Sequence, residues 1–351
     1  MIAKLLGILS AVLFGASAPF SKLLLNDTHP VLLAAFLYLG CGGSLLIIQL
    51  MRKLLLHSVL PPSRFVKSEL PYLLGAVVAG GIIAPIVLLV SLSRTSAMTA
   101  SILLNFEAVA TSIIAFLLFK EHIGKWIWAA LSFITMGSIV LTINTAGHFG
   151  ISLWAFGILV ACTFWGIDNN FTRKITALDP ISIVIVKGIT SGIVGIVLSM
   201  ILGLTLPSPI IICKMLILGG VSYGLSLLLF IISLRELGAA RASSLFGTAP
   251  FLGVIISYLI FKTVPTTQFI VSLPLIIIGV LILFREHHSH YHEHEELTHE
   301  HTHSHLDGHH EHHDNLSDIQ MKHSHRHKHD SQKHDHEHFP DSHHRHGHKD
   351  K

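Results

Sequence analysis

Charge is what this chain has least of. Asp, Glu, Lys and Arg together make up 13% of its 351 residues, about half the share of an average soluble domain. Cysteine is scarce as well: Cys41, Cys162 and Cys213 each stand alone in an apolar run. Without a C-x-x-C or C-x-x-H pair there is no support for a disulfide framework or a structural zinc site. Single thiols in such runs behave as small hydrophobes. A Walker A loop is also missing, which points away from an ATP-driven pump, and the chain does not read as an enzyme.

The charge that exists is divided between two unlike pieces. Residues 1–284 carry 16 Lys and Arg against 7 Asp and Glu, whereas residues 285–351 carry 8 against 14. The formal net charge of +3 averages a basic body with an acidic tail. It offers no footing for nucleic-acid binding. Histidine is divided more sharply. Only His29, His57, His122 and His148 lie in the body, at span ends or in loops, and each reads as an ordinary surface residue.

What fills the body is oil. A bilayer-crossing helix needs about 20 apolar residues. Ten runs meet this, at about 4–24, 30–51, 70–92, 96–118, 125–143, 151–172, 180–203, 210–234, 238–261 and 265–284. Most connections are short, so consecutive helices are neighbours in a bundle. The pairs Gly42-Gly43, Gly80-Gly81 and Gly219-Gly220 allow close helix contact. Lys4, an apolar run and "ASAPF" at 16–20 imitate a signal peptide. Pro19 after the scissile position argues against cleavage.

Lys and Arg orient the spans. With a cytoplasmic N-terminus, the cytoplasmic loops carry Arg52, Lys53, Arg64, Lys67, Lys120, Lys125, Arg173, Lys174, Arg235 and Arg241. The opposite loops carry only Lys22, Arg94, Lys214 and Lys262. This asymmetry follows the positive-inside rule. It places both termini and the tail in the cytoplasm, in a multi-pass protein of the plasma (inner) membrane. Trp126 and Trp128 read as members of an interfacial belt.

The chain repeats itself. "FGASAPFSK" at 14–22 aligns with "WGIDNNFTRK" at 165–174, and Pro30 and Pro180 follow at nearly equal distances. "TASILLNFEAV…FLLFK" at 99–120 aligns with "RASSLFGTAPF…YLIFK" at 241–262. Five spans per copy is an odd number, so the second copy enters the membrane inverted. Inverted repeats are the usual architecture of alternating-access transporters, with the site near the midplane between the halves.

At these residues the chain resembles the drug/metabolite transporter superfamily, EamA type. The resemblance rests on "LFGASAPFSKLLL", on "TASILLNFEAVATSIIAFLLFKEHI" at 99–123 and on ten helices in two halves. It covers about residues 1–284. It implies an all-α membrane protein of ten transmembrane helices, arranged as two inverted five-helix EamA repeats (1–145 and 146–284) and followed by a disordered His-rich tail (285–351). It also implies export or import of a small solute such as an amino acid, nucleotide, sugar, amine or drug, coupled to protons or exchange. The first half departs from the family at the fourth span: Pro250 has Glu107-Ala108 as its counterpart. That leaves the first half's bend open.

Ionisable groups inside a span are costly and mark functional sites. Glu107 lies near the middle of span 4, and Thr95, Thr99, Glu107 and Thr111 recur at four-residue steps as one polar stripe. A carboxyl in apolar surroundings favours its neutral form, so Glu107 can carry a proton or meet a cation. Asp168 lies near the end of span 6 and Lys187 near the start of span 7, at similar depth in an antiparallel hairpin. They are candidates for an ion pair, for an inner gate or for substrate contact. Trp165, Asn169 and Asn170 add stacking and hydrogen-bonding groups on the same segment, and Tyr223 joins them beside Gly219-Gly220.

The tail alternates His with acidic and hydroxyl residues and has almost no apolar side chains. It cannot bury a core, and disorder is expected. Its candidate metal ligands are His287, His288, His290, His292, His294, His299, His301, His303, His305, His309, His310, His312 and His313, then His323, His325, His327, His329, His334, His336, His338, His343, His344, His346 and His348. Neutral imidazole suits zinc, nickel, cobalt and copper, and H-x-H steps put two rings on one side of an extended chain. "HEHTH" at 299–303 matches H-E-x-x-H, but in a tail dominated by His and Glu the match is a chance one.

The leading reading is a secondary active transporter, an efflux carrier, of a small organic metabolite or drug. It needs no cofactor, although its tail binds a divalent transition metal. Its partners are the lipid bilayer, the small-molecule substrate and metal ions, with no nucleic acid, and the protein is a monomer or homodimer. One alternative is a nickel, cobalt or zinc exporter whose tail captures the ion. Another is a membrane metal sensor acting through the tail. On any of these readings, ending the chain at Arg285 removes most zinc or nickel binding in equilibrium dialysis at neutral pH. Binding by the full chain weakens as pH falls through about 6.5, where imidazoles protonate.

Overall fold

The computed structural model describes residues 2–56, 66–121, 123–144, 150–175 and 178–285 of the body, with 289–293, 297–303, 323–329 and 333–337 of the tail. The described residues of the body form ten helical spans: α1 (Ile2–Leu24), α2 (Pro30–Leu56), α3 (Lys67–Arg94), α4 (Ala97–Phe119), α5 (Lys125–Thr142), α6 (Leu153–Thr172), α7 (Pro180–Ile201), α8 (Pro209–Leu237), α9 (Arg241–Phe261) and α10 (Thr267–Arg285). Among the described residues, all but α6 are long and apolar enough to cross a membrane by length and composition. At 20 residues, α6 is long enough. It is less apolar because Asp168, Asn169 and Asn170 occupy its last turns. The helix with the most polar end is also packed on several sides, by α3, α4 and α5.

Helix starts follow local chemistry. Ser96 caps α4 by accepting from the Thr99 amide at 3.0 Å, and Ser152 caps α6. Asp179 accepts from the Ile181 and Ser182 amides ahead of α7, where Pro180 stands at the start of the helix. Each cap satisfies donors that a helix terminus leaves open. Trp126, 69% exposed, and Trp128, 41% exposed, stand on the outer surface of α5.

The two halves are built alike down to their irregularities. Both α3 and α8 widen mid-span into π-type turns, at Val77–Ile83 and Gly220–Leu225. Both α4 and α9 break, after Leu103 and after Phe246. In α9 Pro250 stands in the first turn of the second segment and the Thr248 hydroxyl donates to the Leu245 carbonyl at 2.7 Å. In α4 there is no proline, yet the bend is present. The Asn105 side chain supplies the equivalent bond by donating to the Ile102 carbonyl at 2.9 Å. Both helices end at a Lys in the left-handed conformation, Lys120 with φ 54° and Lys262 with φ 51°.

Packing interleaves the halves. α2 lies on α7 and α5 on α10, each pairing equivalent helices. α1 packs on α8 and α9, and α6 packs on α3 and α4, so each half's first helix leans on the third and fourth helices of one half or the other in matching fashion. Glycine makes these approaches possible. A Cβ at Gly15 would run into the Ala249 carbonyl, and one at Gly166 would stand 2.9 Å from the Ala110 carbonyl carbon and the Thr111 nitrogen. Gly42 and Gly188 meet backbone to backbone across α2 and α7. Such small-residue contacts are how helices associate where lipid offers no hydrophobic drive.

By its contacts the chain divides into Met1–Glu286 and His287–Lys351. Described parts of the second unit are extended. Leu297–His303 pairs antiparallel with His323–His329, and Ser289–Glu293 with Lys333–Glu337. The tail's histidine side chains lie outside the described residues, as do His57, His122 and His148. His29 is exposed, and its ring accepts from the Val31 amide.

Gly166→Ala forces backbone to move and costs about 1–3 kcal/mol of stability. Gly43→Ala, with open space around its Cβ, is neutral. Thermal unfolding of both variants in detergent checks the contrast.

Candidate functional site

The polar residues of α6 share one face, because positions 165, 168, 169 and 172 are three or four apart. That face meets α3, α4 and α7. Asp168 is 3% exposed. The Lys187 ammonium of α7 donates to its Oδ2 at 2.5 Å, and the Thr172 hydroxyl donates to its Oδ1 at 3.0 Å. The room for this pair comes from α3. A Cβ on Gly80 would occupy the space of the Asp168 carboxylate, and one on Gly81 would meet Ser191 and the Lys187 stem.

The π-type turn of α3 does more than leave room. Such turns release a carbonyl from the regular ladder, and a backbone acceptor in a lipid-facing bundle must find its partners inside the protein. The Gly80 carbonyl takes two: the Tyr38 hydroxyl at 2.6 Å and the Trp165 indole N–H at 3.1 Å. Tyr38, on α2, also stacks obliquely on Tyr223, with ring centroids 6.3 Å apart. Tyr223 belongs to the π-type turn of α8 and meets Phe14 of α1 edge-on at 5.8 Å. One tyrosine therefore touches both irregular segments.

A second polar group lies beside the ion pair. Asn169 donates to Glu107 Oε1 at 2.8 Å and to the Thr111 hydroxyl at 3.2 Å. Asn170 donates to the Thr111 and Gly166 carbonyls, at 3.0 and 2.8 Å, which pins α6 to α4. Glu107 stands in the first turn after the break in α4. It is half-buried, within electrostatic reach of Asp168 and Lys187. The C-terminal ends of α4 and α6 are tied by the exposed Arg173–Glu121 ion pair and by Lys174 over the Phe119 ring.

The structure brings together Glu107, Thr111, Trp165, Asp168, Asn169, Asn170 and Lys187, with Tyr223 at the far side of Tyr38. Thr99 stands apart. Its hydroxyl accepts from Ser96 at the start of α4, and the break after Leu103 resets the helical phase that placed Thr99 and Glu107 on one stripe. Tyr38 was not among the expected residues. Its sequence signal was faint, a single hydroxyl in the apolar run of span 2. Among the described residues no three His, Cys, Asp or Glu side chains gather as a metal site.

A profile of the EamA-like transporter family matches residues 1–143 and again residues 152–285. The chain belongs to the EamA-like transporter family. The double match falls on the two structural halves. An uncharacterized transporter of Methanothermobacter thermautotrophicus is 27% identical over 269 residues, covering 73% of this chain and 78% of that protein. One solved crystal structure aligns with a TM-score of 0.56 at 15% identity, over 81% of this chain and 96% of that one, and supports the fold. This EamA protein is thus a membrane transporter of small molecules, built as two helical repeats.

Asp168→Asn leaves the Lys187 ammonium buried without its counter-charge. Breaking a buried pair costs about 3–5 kcal/mol, whereas replacing both partners with neutral groups is close to neutral. In a double-mutant cycle with Lys187→Met, the two single variants unfold early in detergent and the double variant recovers most of the loss.

Proposed function

We propose that this EamA protein is a secondary active exporter of a small organic solute, coupled to protons or exchange. On this reading the solute site is formed by α3, α4, α6 and α7 around Glu107, Asp168 and Lys187. One observation carries it. Charges of both signs, carboxamides, an indole and a phenol meet where the spans of both halves lose regular helix. Irregular backbone at membrane depth is tolerated where it lines a site. This mixed donor and acceptor set suits an organic solute better than a naked metal ion, which would call for converging imidazoles, thiolates or carboxylates.

Protonation of Glu107 is the coupling event in this reading. Among the described residues its carboxylate has an amide donor in Asn169 but no cation paired with it, because Lys187 pairs with Asp168. On this reading the His-rich tail is an accessory store for transition metal. A metal-exporting alternative is kept open by that tail alone.

Proteoliposomes with an imposed pH gradient and an internal pH dye decide between the two. Amino acids, nucleosides, sugars and amines are offered in turn, then nickel, cobalt and zinc. An organic solute is expected to collapse the gradient with the full chain and with the chain ending at Arg285, but not with Glu107→Gln. Gradient collapse by metal ions alone would instead make this a metal exporter.

A further inference from the structure

Resting on the reading of the tail as a metal store, we infer that the tail holds divalent transition metal at two defined places, each between opposed histidines of paired strands. The longer ladder joins Leu297–His303 to His323–His329, and the shorter one joins Ser289–Glu293 to Lys333–Glu337, both antiparallel. From Ser289 opposite Glu337 to Leu297 opposite His329 each strand advances by eight residues, so the two ladders keep one register.

That register sorts the positions by chemistry. In the longer ladder His299 stands opposite His327, His301 opposite His325 and His303 opposite His323. In the shorter one His290 stands opposite His336 and His292 opposite His334. Alternate positions of a strand belong to opposite faces, so each ladder carries its histidine pairs on one face. The other face sets Glu300 opposite Arg326 in the longer ladder and Glu293 opposite Lys333 in the shorter. Opposite charges directly across a ladder stabilise it. A slip of one residue would undo both patterns: His299 would stand opposite Arg326 or Lys328, and Glu300 opposite a histidine.

Burial cannot hold these strands together. Their only large apolar residues are Tyr291 and Leu297, and an isolated two-stranded hairpin is at best marginal in water. A cross-link would hold them, and opposed imidazoles are ligands for one. Directly opposed positions stand about 5 Å apart at Cβ, and the next position on the same face is about 7 Å along the strand. Two successive pairs therefore frame a patch that one ion can span with metal–nitrogen bonds of about 2 Å. His299, His301, His325 and His327 make such a set in the longer ladder, with His303 and His323 as a further pair. His290, His292, His334 and His336 make one in the shorter ladder. Metal binding is thereby coupled to strand pairing, and the store has two tight places in place of a run of equivalent ligands.

Zinc titration of the full chain in detergent at neutral pH, against a competing chelator, tests this. Two zinc ions are expected to bind tightly, one for each ladder, ahead of a weaker class. Replacing one opposed pair, His301→Asn with His325→Asn, removes one tight ion, because the pairs that remain in that ladder lie about 14 Å apart along the strands. His292→Asn with His334→Asn removes the other. His343→Asn with His344→Asn, outside the ladders, removes neither. Register is read separately, from spin labels at Thr302→Cys and Ser324→Cys, opposed positions on the face away from the histidines. The exposed Cys213 is changed to Ser for this purpose. Zinc is expected to bring dipolar broadening that chelation abolishes, and labels at Thr298→Cys and Ser324→Cys, four residues out of register, broaden less. Zinc loss that follows the number of histidines removed and not their place, or label proximity indifferent to zinc or to register, overturns the ladder sites and leaves the metal store standing. No more zinc on the full chain than on the chain ending at Arg285 overturns both.

Discussion

Asp168 and Lys187 stay together inside a helical bundle because α3 withholds two side chains. Gly80 and Gly81 leave the volume that the carboxylate and the lysine stem occupy, and the wider turn through Val77–Ile83 frees the carbonyl that Tyr38 and Trp165 then share. Remove the notch and the ion pair has nowhere to sit. Remove the pair and α6 would carry a buried acid without a partner. The depth of α6, its least apolar character among the spans and its contacts with α3, α4 and α7 all depend on that fit.

The scaffold is symmetric and the chemistry is not. Matching π-type turns, matching breaks and matching left-handed lysines show two copies of one plan. Where α6 has Asp168 and Asn169, however, the aligned positions of α1 are Ser17 and Ala18, and where α4 has Glu107 its counterpart in α9 is Ala249. Ionisable groups have been concentrated on one side of an architecture that would hold them on either. Keeping them to one half limits the cost, because each ionisable group in a bilayer costs insertion energy.

The break in α4 shows how the same geometry is reached by different chemistry. In α9 a proline removes an amide and forces the turn. In α4 Asn105 caps the carbonyl that the turn exposes. An amide side chain and an imino ring both answer the same need, which is to satisfy or abolish a backbone group where the helix stops.

Much of this was legible in the chain. Ten apolar runs follow from the energetics of taking a polypeptide through lipid, which act on composition and length, and the two repeats follow from matching stretches of sequence. Glu107, Asp168, Lys187 and Asn169 stood out for the same reason: polar side chains in oil are conspicuous. Tyr38 did not, because a tyrosine in an apolar run looks like packing until its hydroxyl is seen to reach Gly80. Thr99 looked like part of the stripe because the periodicity assumed an unbroken helix. The sequence by itself determined the spans, their repetition and the residues able to carry charge. Only the tertiary structure decided which of them meet, because the breaks and the widened turns shift helical phase, and glycine's missing side chain becomes a site only when a neighbouring helix fills it.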